Sequence, residues 1–217
     1  VQVGPTSIPQ SWDWCSGYHE SDSTVIGFSH THLSGTGIGD LFDVTLMPVV
    51  GEVAYARGTE EDPQSGLWSY ADRSKEVAVP GYYSVPLTRY GVTAEMTATS
   101  RVGLHRYTFP EADDAAVVFD LENGGCWDKA TDTGLKAEGD RIVTGWRHSA
   151  GWAADQKVFF AAEFSRPFDS FEPVGDRYGR ASFRTKAGER ILVKVALSPV
   201  SVEGARANLA AELPGWD

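Results

Sequence analysis

The chain of 217 residues has little sulfur, with two cysteines, Cys15 and Cys126, and two methionines. Two thiols permit one disulfide, decide nothing about redox environment and exclude a disulfide-stapled miniprotein. Cations are scarce too. Lys and Arg number 19 against 30 acidic residues, a formal net charge of −11. They are scattered, with no basic stripe interleaved with aromatics, whereas phosphate contacts need clustered Lys and Arg. This argues against nucleic acid and an anionic membrane as partners. No apolar run approaches the roughly 18–20 residues a spanning helix needs. The chain starts at Val1 without Met or a charged and then apolar leader, and Trp216 stands one residue from its end. Both termini read as cuts through a longer protein, so the missing leader says nothing about compartment.

What is there is enough for a core: 41% of residues are hydrophobic, which excludes a disordered tail. The periodicity is mostly that of strands. Runs at 25–28, 41–50, 82–87, 92–100, 102–109, 115–121, 141–146, 158–164 and 191–197 alternate or carry β-branched residues. Tyr90-Gly91 joins two of them as a hairpin. Pro86 belongs on an edge or at a bulge, because it has no N–H to donate. Lys186-Ala187-Gly188-Glu189 reads as a turn. Many strands at short intervals, with 23 Gly and 11 Pro, predict one all-β domain, an antiparallel β-sandwich over residues 1–200. The exception is 201–217. Ser201 can N-cap a helix, Glu203 suits its first turn, Ala205, Leu209 and Leu213 form a stripe, and Pro214 closes it. This C-terminal helix reads as a connector.

Chemistry-bearing residues concentrate in 12–43, which holds three of the five histidines. His30 and His32 are two apart, so on a strand both would point to one face. That spacing suits metal chelation, with His19 or Asp22 as a third ligand. The competing reading makes them hydrogen-bonded residues lining a pocket or a domain contact, and it is favoured because no Cys or carboxylate follows at tight spacing. Gly35-Thr36-Gly37-Ile38-Gly39 has the glycine content of a phosphate loop. It lacks the Lys-Ser/Thr of a P-loop, and Asp40 or Phe42 stands where a dinucleotide fingerprint needs its third Gly. It reads as a tight loop. Residues 128–134 superficially suggest a calcium loop, but Ala130 fills the third position and no Gly the sixth, so a solvated hairpin tip is expected. Asp113-Asp114 reads as a turn after Pro110, and Glu60-Glu61-Asp62 as an acidic loop. Neither has the apolar surroundings that raise a carboxyl for acid–base work. Ser34 is no nucleophile elbow. Trp12, Trp14, Trp127, Trp146 and Trp152 lie near glycine turns, either as sugar-stacking platforms or as core residues.

Long motifs in order carry a resemblance. Cys15, His19-Glu20-Ser21-Asp22 and the string from Gly27-Phe28-Ser29-His30-Thr31-His32 to Gly37 closely resemble the N-terminal part of family 92 glycoside hydrolases, calcium-dependent exo-acting α-mannosidases. Tyr82-Tyr83-Ser84-Val85, the run 91–110, Glu163-Phe164-Ser165-Arg166-Pro167-Phe168 and the run 200–209 are similar to the same family.

The resemblance implies a supersandwich of the galactose-mutarotase type, packed through its connector on a C-terminal (α/α)6 barrel. It implies that this barrel carries the general acid Glu, the base Asp residues and Ca2+, so that this chain holds no catalytic residue and no metal. Inverting hydrolysis needs one protonated carboxyl and one carboxylate that activates water. The implied substrate-binding residues here are His30, His32, Ser34, Gly35, Thr36, Gly37 and Asp40, with Trp14, Tyr18 and His19. Gly37 falls near the Trp of α-1,2-specific members, a departure that leaves linkage open. The implied partners are the barrel and mannose-containing glycans, and the implied compartment is extracellular or periplasmic. Two other classes remain, a free-standing carbohydrate-binding module using Trp12 and Trp14, and a small metalloprotein using His19, His30 and His32.

Overall fold

The computed structural model describes residues 1–6, 17–18, 22–32, 41–59, 61–62, 64–125, 128–151 and 153–216. The strands are β1 (Gly4–Thr6), β2 (Thr24–Val25), β3 (Gly27–Ser29), β4 (Thr45–Val50), β5 (Ser69–Tyr70), β6 (Val77–Val79), β7 (Tyr82–Leu87), β8 (Val92–Ala98) and β9 (Val102–Phe109). There follow β10 (Ala112–Asp120), β11 (Lys129–Glu138), β12 (Ile142–Ala150), β13 (Gln156–Phe164), β14 (Ser170–Val174), β15 (Tyr178–Thr185) and β16 (Glu189–Ser198). One helix, α1 (Val202–Glu212), closes the described chain. Every pairing is antiparallel. One sheet has six strands in the order β1-β3-β4-β10-β15-β14, and another has eight in the order β11-β12-β13-β16-β9-β8-β7-β6. A short β2-β5 ribbon completes the set. The predicted all-β sandwich with a C-terminal helix is what the chain forms.

Alternation sets the inner faces. In β9, His105, Tyr107 and Phe109 are buried while Leu104, Arg106 and Thr108 are partly exposed, the period-2 pattern of a sheet with one covered face. In β10, by contrast, every residue from Ala115 to Asp120 is buried, the near-continuous run of a strand covered on both sides. Aromatic contacts join the sheets. Phe119 of β10 stacks on Phe160 of β13 at 5.9 Å and meets Phe164 edge-on at 6.2 Å. Phe28 of β3 reaches Tyr107 of β9 at 6.4 Å.

Pro86 lies in β7 beyond the last residue paired with β6, so its missing N–H interrupts no pair on that side. Lys186 to Glu189 forms the expected turn, with Gly188 at φ 76°. Two expectations are corrected. Asp113 and Asp114 are not in a turn but in β10, at a bulge between Ala112 and Ala115; one residue is extra there, and both side chains are exposed. Residues 129–134 are not a hairpin tip but the first half of β11, an edge strand.

Ser201 caps α1 as expected, accepting the Gly204 N–H at 3.0 Å. The helix packs mainly on β16 and β13. Ala205 is buried, and Leu209 and Leu213 are partly buried. Its C-terminal Glu212 opposes the helix dipole. The Thr99 hydroxyl first, then the Arg101 guanidinium and backbone N–H, hold that carboxyl down at about 2. Beyond the helix, Trp216 lays its ring over the ammonium of buried Lys194, 3.9 Å from the centroid.

The cross-sheet aromatic packing predicts that Phe119→Ala lowers stability by about 3–5 kcal/mol. Urea unfolding of the variant measures it. A loss below about 1 kcal/mol would show that the sheets are not joined through this ring.

Candidate functional site

β3 ends at Ser29, and the two residues that the strand rule would have put on one face part company. His30 is fully buried. It crosses to the eight-stranded sheet, where the absent side chain of Gly103 makes room: a Cβ there would sit 2.9 Å from the His30 ring. Its Nδ1 lies 2.6 Å from the Val44 carbonyl, and its Nε2 lies 2.9 Å from Nε2 of His105, whose Nδ1 is 3.0 Å from the Tyr107 hydroxyl. Burial pushes His30 down to about 3 and His105 well below its ordinary value, so both rings are neutral. Only one proton arrangement then satisfies the chain. A carbonyl only accepts, so His30 donates from Nδ1 and accepts at Nε2; His105 donates from Nε2 and accepts from Tyr107. His30 thus has no surface for a substrate and no free nitrogen for a metal. As a pocket residue it is corrected to an inter-sheet link.

The next residue starts a second cluster. The Thr31 hydroxyl donates to Asp43 at 2.8 Å and accepts the Asp43 backbone N–H at 2.8 Å. The Phe42 N–H reaches the Thr31 carbonyl, and the His30 N–H reaches that of Asp43. Residues 30–31 and 42–43 are therefore tied together. Asp43 is fully buried and also accepts from Arg147 at 2.6 Å and Gln156 at 2.5 Å. Burial pushes its carboxyl up, against Arg147 and Thr31. Burial likewise opposes the charge of Arg147, but Asp43 and Asp128 outweigh it and hold Arg147 above its ordinary value. Phe42 and Val44, on either side of Asp43, have φ of 56° and 54°. For side chains of this bulk such a backbone costs about 1–3 kcal/mol each, and it persists only where surroundings over-determine it.

His32 is half-buried. Its Nε2 lies 3.1 Å from the Ser29 hydroxyl and its ring packs on Phe42 at 5.4 Å. Gly17, at φ 75°, passes so close that a Cβ would meet the His32 ring at 2.7 Å. With Tyr18, Tyr83, Gln2, Gly4 and Pro5, His32 lines a cavity of about 190 Å³, below the roughly 300–1,000 Å³ of a complete small-molecule site. Tyr18 meets Tyr83 edge-on at 5.9 Å and donates to Glu76 at 3.3 Å. Glu76 also accepts from Tyr83 and pairs with Arg73, whose guanidinium lies over the Tyr18 ring. A larger hollow of about 460 Å³ between residues 1–3 and β6, β7 and β8 shares Gln2, Val3 and Tyr83 with it.

Of the sequence-derived site residues, the structure thus brings His32 and Tyr18 to one cavity and removes His30 from it. Trp14, His19, Ser34, Gly35, Thr36, Gly37 and Asp40 lie outside the described residues. So do both cysteines, Trp12, Trp127 and Trp152. Among the described residues no three His, Cys, Asp or Glu side chains gather as a metal-holding group. Trp146 donates its indole N–H to Asp132 at 2.7 Å and packs on Gly134. Sequence reasoning missed Arg147, Asp128, Arg73, Glu76 and Tyr83. Arg147 did have a signal, for it shares the inward parity of Val143 and Gly145 in β12, and a charge on an apolar face implies a buried partner.

Residues 1–198 match the model of the glycosyl hydrolase family 92 N-terminal domain. The family GH92 α-mannosidase BT3965 from Bacteroides thetaiotaomicron is similar over 100% of this chain and 32% of its own, at 38% identity and a TM-score of 0.92. The family GH92 inverting mannosidase BT2199 from B. thetaiotaomicron VPI-5482 is similar over 99% of this chain and 29% of its own, at 25% identity and 0.79. An "uncharacterized secreted glycosidase" of Arthroderma benhamiae is 34% identical over 98 residues, 43% of this chain and 12% of that protein. The chain thus spans about a third of the solved structures it matches.

The neutral histidines give stability a pH dependence of known sign. Unfolded, each takes up a proton near pH 6.5; folded, His30 does so only near 3. Stability is therefore full above about pH 6.5 and falls toward pH 3, by about 2 kcal/mol at pH 5 for His30, with His105 acting in the same direction. Asp43 and Asp120, pushed up by burial, act in the opposite sense at the acid end. Urea midpoints at pH 7.5 and 5 report the fall. NMR of the ring protons should show His30 and His105 unchanged across that range, and titration of either near 6.5 would contradict the neutral relay.

Proposed function

Because the chain belongs to glycosyl hydrolase family 92 as its N-terminal domain, we propose that it shapes the substrate pocket of an exo-acting, calcium-dependent, inverting α-mannosidase and supplies neither catalytic acid nor base. The observation that carries this is the match to BT3965 over the whole of this chain but only 32% of that enzyme. The remaining length of such a parent is ample for a catalytic domain. On this reading 1–200 is the sandwich and 201–217 the connector to an (α/α)6 barrel. The substrate-binding residues on this reading are His32 and Tyr18, which line one cavity, with Ser34, Gly35, Thr36, Gly37 and Asp40.

The carboxylates of this domain support the same division of labour. Among the described residues Asp43 and Asp120 are the acids that burial pushes up, the usual mark of a candidate general acid. Both are consumed internally, Asp43 as above and Asp120 by the backbone N–H groups of Glu122 and Asn123 and the Asn123 amide. Neither has a lone pair facing a cavity described here. Calcium belongs, on this reading, to the catalytic domain. Mannose-containing glycans are the substrates, with the linkage set in part at Gly37. The parent acts outside the cytoplasm, in line with the secreted relative.

The test compares the full-length enzyme with this domain alone on an aryl α-mannoside, following the first-formed anomer by NMR. The parent is expected to release β-mannose and the domain nothing. Hydrolysis by the domain alone would overturn the reading. Millimolar or tighter binding of mannobiose by the isolated domain, seen in calorimetry, would favour a free-standing carbohydrate-binding module instead.

A further inference from the structure

Trp146 stands on the outward face of β12 and is partly exposed, whereas Trp68, a core tryptophan, is fully buried. Its register partner on the edge strand β11 is Gly134. A Cβ there would come within 2.5 Å of the indole, so the missing side chain is what lets the ring lie over the strand. The indole N–H is fixed to Asp132 at 2.7 Å, and the same carboxylate oxygen lies 3.4 Å from Nδ1 of His148.

Trp146 opens onto a cavity of about 400 Å³, lined also by Gly134, Leu135, Lys136, Pro173 and Asp176. That volume falls within the roughly 300–1,000 Å³ of small-molecule sites. The cavity lies between β11 and the turn that joins β14 to β15. The Thr133 hydroxyl donates to the Asp176 carbonyl at 2.7 Å, which holds this turn against β11. Pro173 and Asp176 are exposed, and the Lys136 side chain is 72% exposed. The cavity lined by His32 and Tyr18 is a different place. It includes Tyr83 of β7, five strand spacings from β12 in the sheet, or roughly 24 Å. Helix α1 reaches β11 at Glu138, through Arg206, and that contact lies roughly 14 Å along the strand from Gly134.

We propose that Trp146 and this cavity form a second glycan-binding site, apart from the pocket that His32 and Tyr18 line. A pyranose presents an apolar C–H face that packs on an indole, and hydroxyls around it that need hydrogen bonds. The cavity offers both, with Trp146 and Pro173 as apolar surface and Lys136 and Asp176 as donor and acceptor. Because Asp132 takes the indole N–H, the ring presents a guest with its face and not with a donor. The carboxylates of Asp132 and Asp176 disfavour an anionic guest, which leaves a neutral sugar. Core packing does not account for the arrangement. A glycine inside a strand weakens it and commonly marks a close approach of another group, and here that group is a ring placed at the mouth of a cavity. That the sugar is a mannoside rests on the reading of the parent as an α-mannosidase. A site set apart from the pocket would hold a long glycan while its end is trimmed.

The experiment uses the full-length enzyme with an aryl α-mannoside and with polymeric α-mannan, binding to the polymer being read as retardation in mannan-containing native gels. Trp146→Ala is expected to weaken mannan binding about tenfold while kcat and KM on the aryl mannoside stay within about twofold. Trp146→Phe, which keeps an aromatic face, should recover part of the binding. Unchanged mannan binding by Trp146→Ala overturns the site, whatever happens to the melting temperature. An equal loss on both probes also overturns it, since the residue would then serve the pocket or the fold. A wild-type enzyme that hydrolyses the aryl mannoside but is not retarded by mannan overturns the second site and leaves the pocket reading standing. Retardation that Trp146→Ala abolishes, in an enzyme that hydrolyses no α-mannoside, supports the site and overturns the mannosidase reading. Should Trp146→Ala fail to fold, the double variant Lys136→Ala with Asp176→Ala replaces it, both side chains being exposed. Weakened mannan binding by that variant supports the site, and unchanged binding overturns it.

Discussion

The buried contact between Arg147 and Asp43 joins two parts of this molecule that are built on different physics. Over most of its area the sandwich is held by apolar faces, with Phe119, Phe160, Phe164 and Phe28 packed across the gap. Such contacts are strong in sum and indifferent to small shifts. At the end where segment 33–40 leaves and returns, the sheets are joined instead by bonds with direction, running from Arg147 to Asp43, Leu121 and Asp128 and from Thr31 to Asp43. A backbone with two bulky residues at positive φ is sustainable there because several bonds specify it at once. The fold's tolerance and its exactness are thus separated in space, with exactness at the end that carries the long segments.

The pattern of strands was legible because most of them obey the period of two or read as apolar runs. Six strands escaped, the short β1, β5 and β6 and the longer β11, β14 and β15, and the longer ones have local causes. β11 and β14 are edges, and an edge needs only one covered face, so Lys129, Thr131, Asp132 and Ser170 are free to be polar. β15 carries Arg180, Ser182 and Arg184 between its buried Ala181 and Phe183, and its glycine and alanine give little hydrophobic signal. The bulge in β10 hid Asp113 and Asp114 in the same way, since a bulge breaks the register that periodicity counts.

The histidines of the candidate site were visible in the sequence, and their surroundings were not. The spacing of His30 and His32 has meaning only while a strand continues, and β3 stops at Ser29. What decides their fates is non-local. His30 is buried because Gly103, 73 positions away, leaves a space for it and His105 supplies a complementary proton. His105 shares the parity of Tyr107 and Phe109, and nothing in that alternation names its partner. Arg147 and Asp43 stand 104 residues apart. Local patterns show which face a residue lies on; pairing across the sandwich follows from the topology.

The two buried polar clusters also answer differently to acid. The His30–His105–Tyr107 relay is neutral, and its bonds require that it stay so; acid draws stability from it. Arg147 does not titrate while the protein is folded. A fall in pH therefore weakens one polar link between the sheets before it touches the guanidinium that holds Asp43 and Asp128. Acid thus acts on the relay through its histidines, while the guanidinium of Arg147 keeps its charge and its bonds to Asp43 and Asp128.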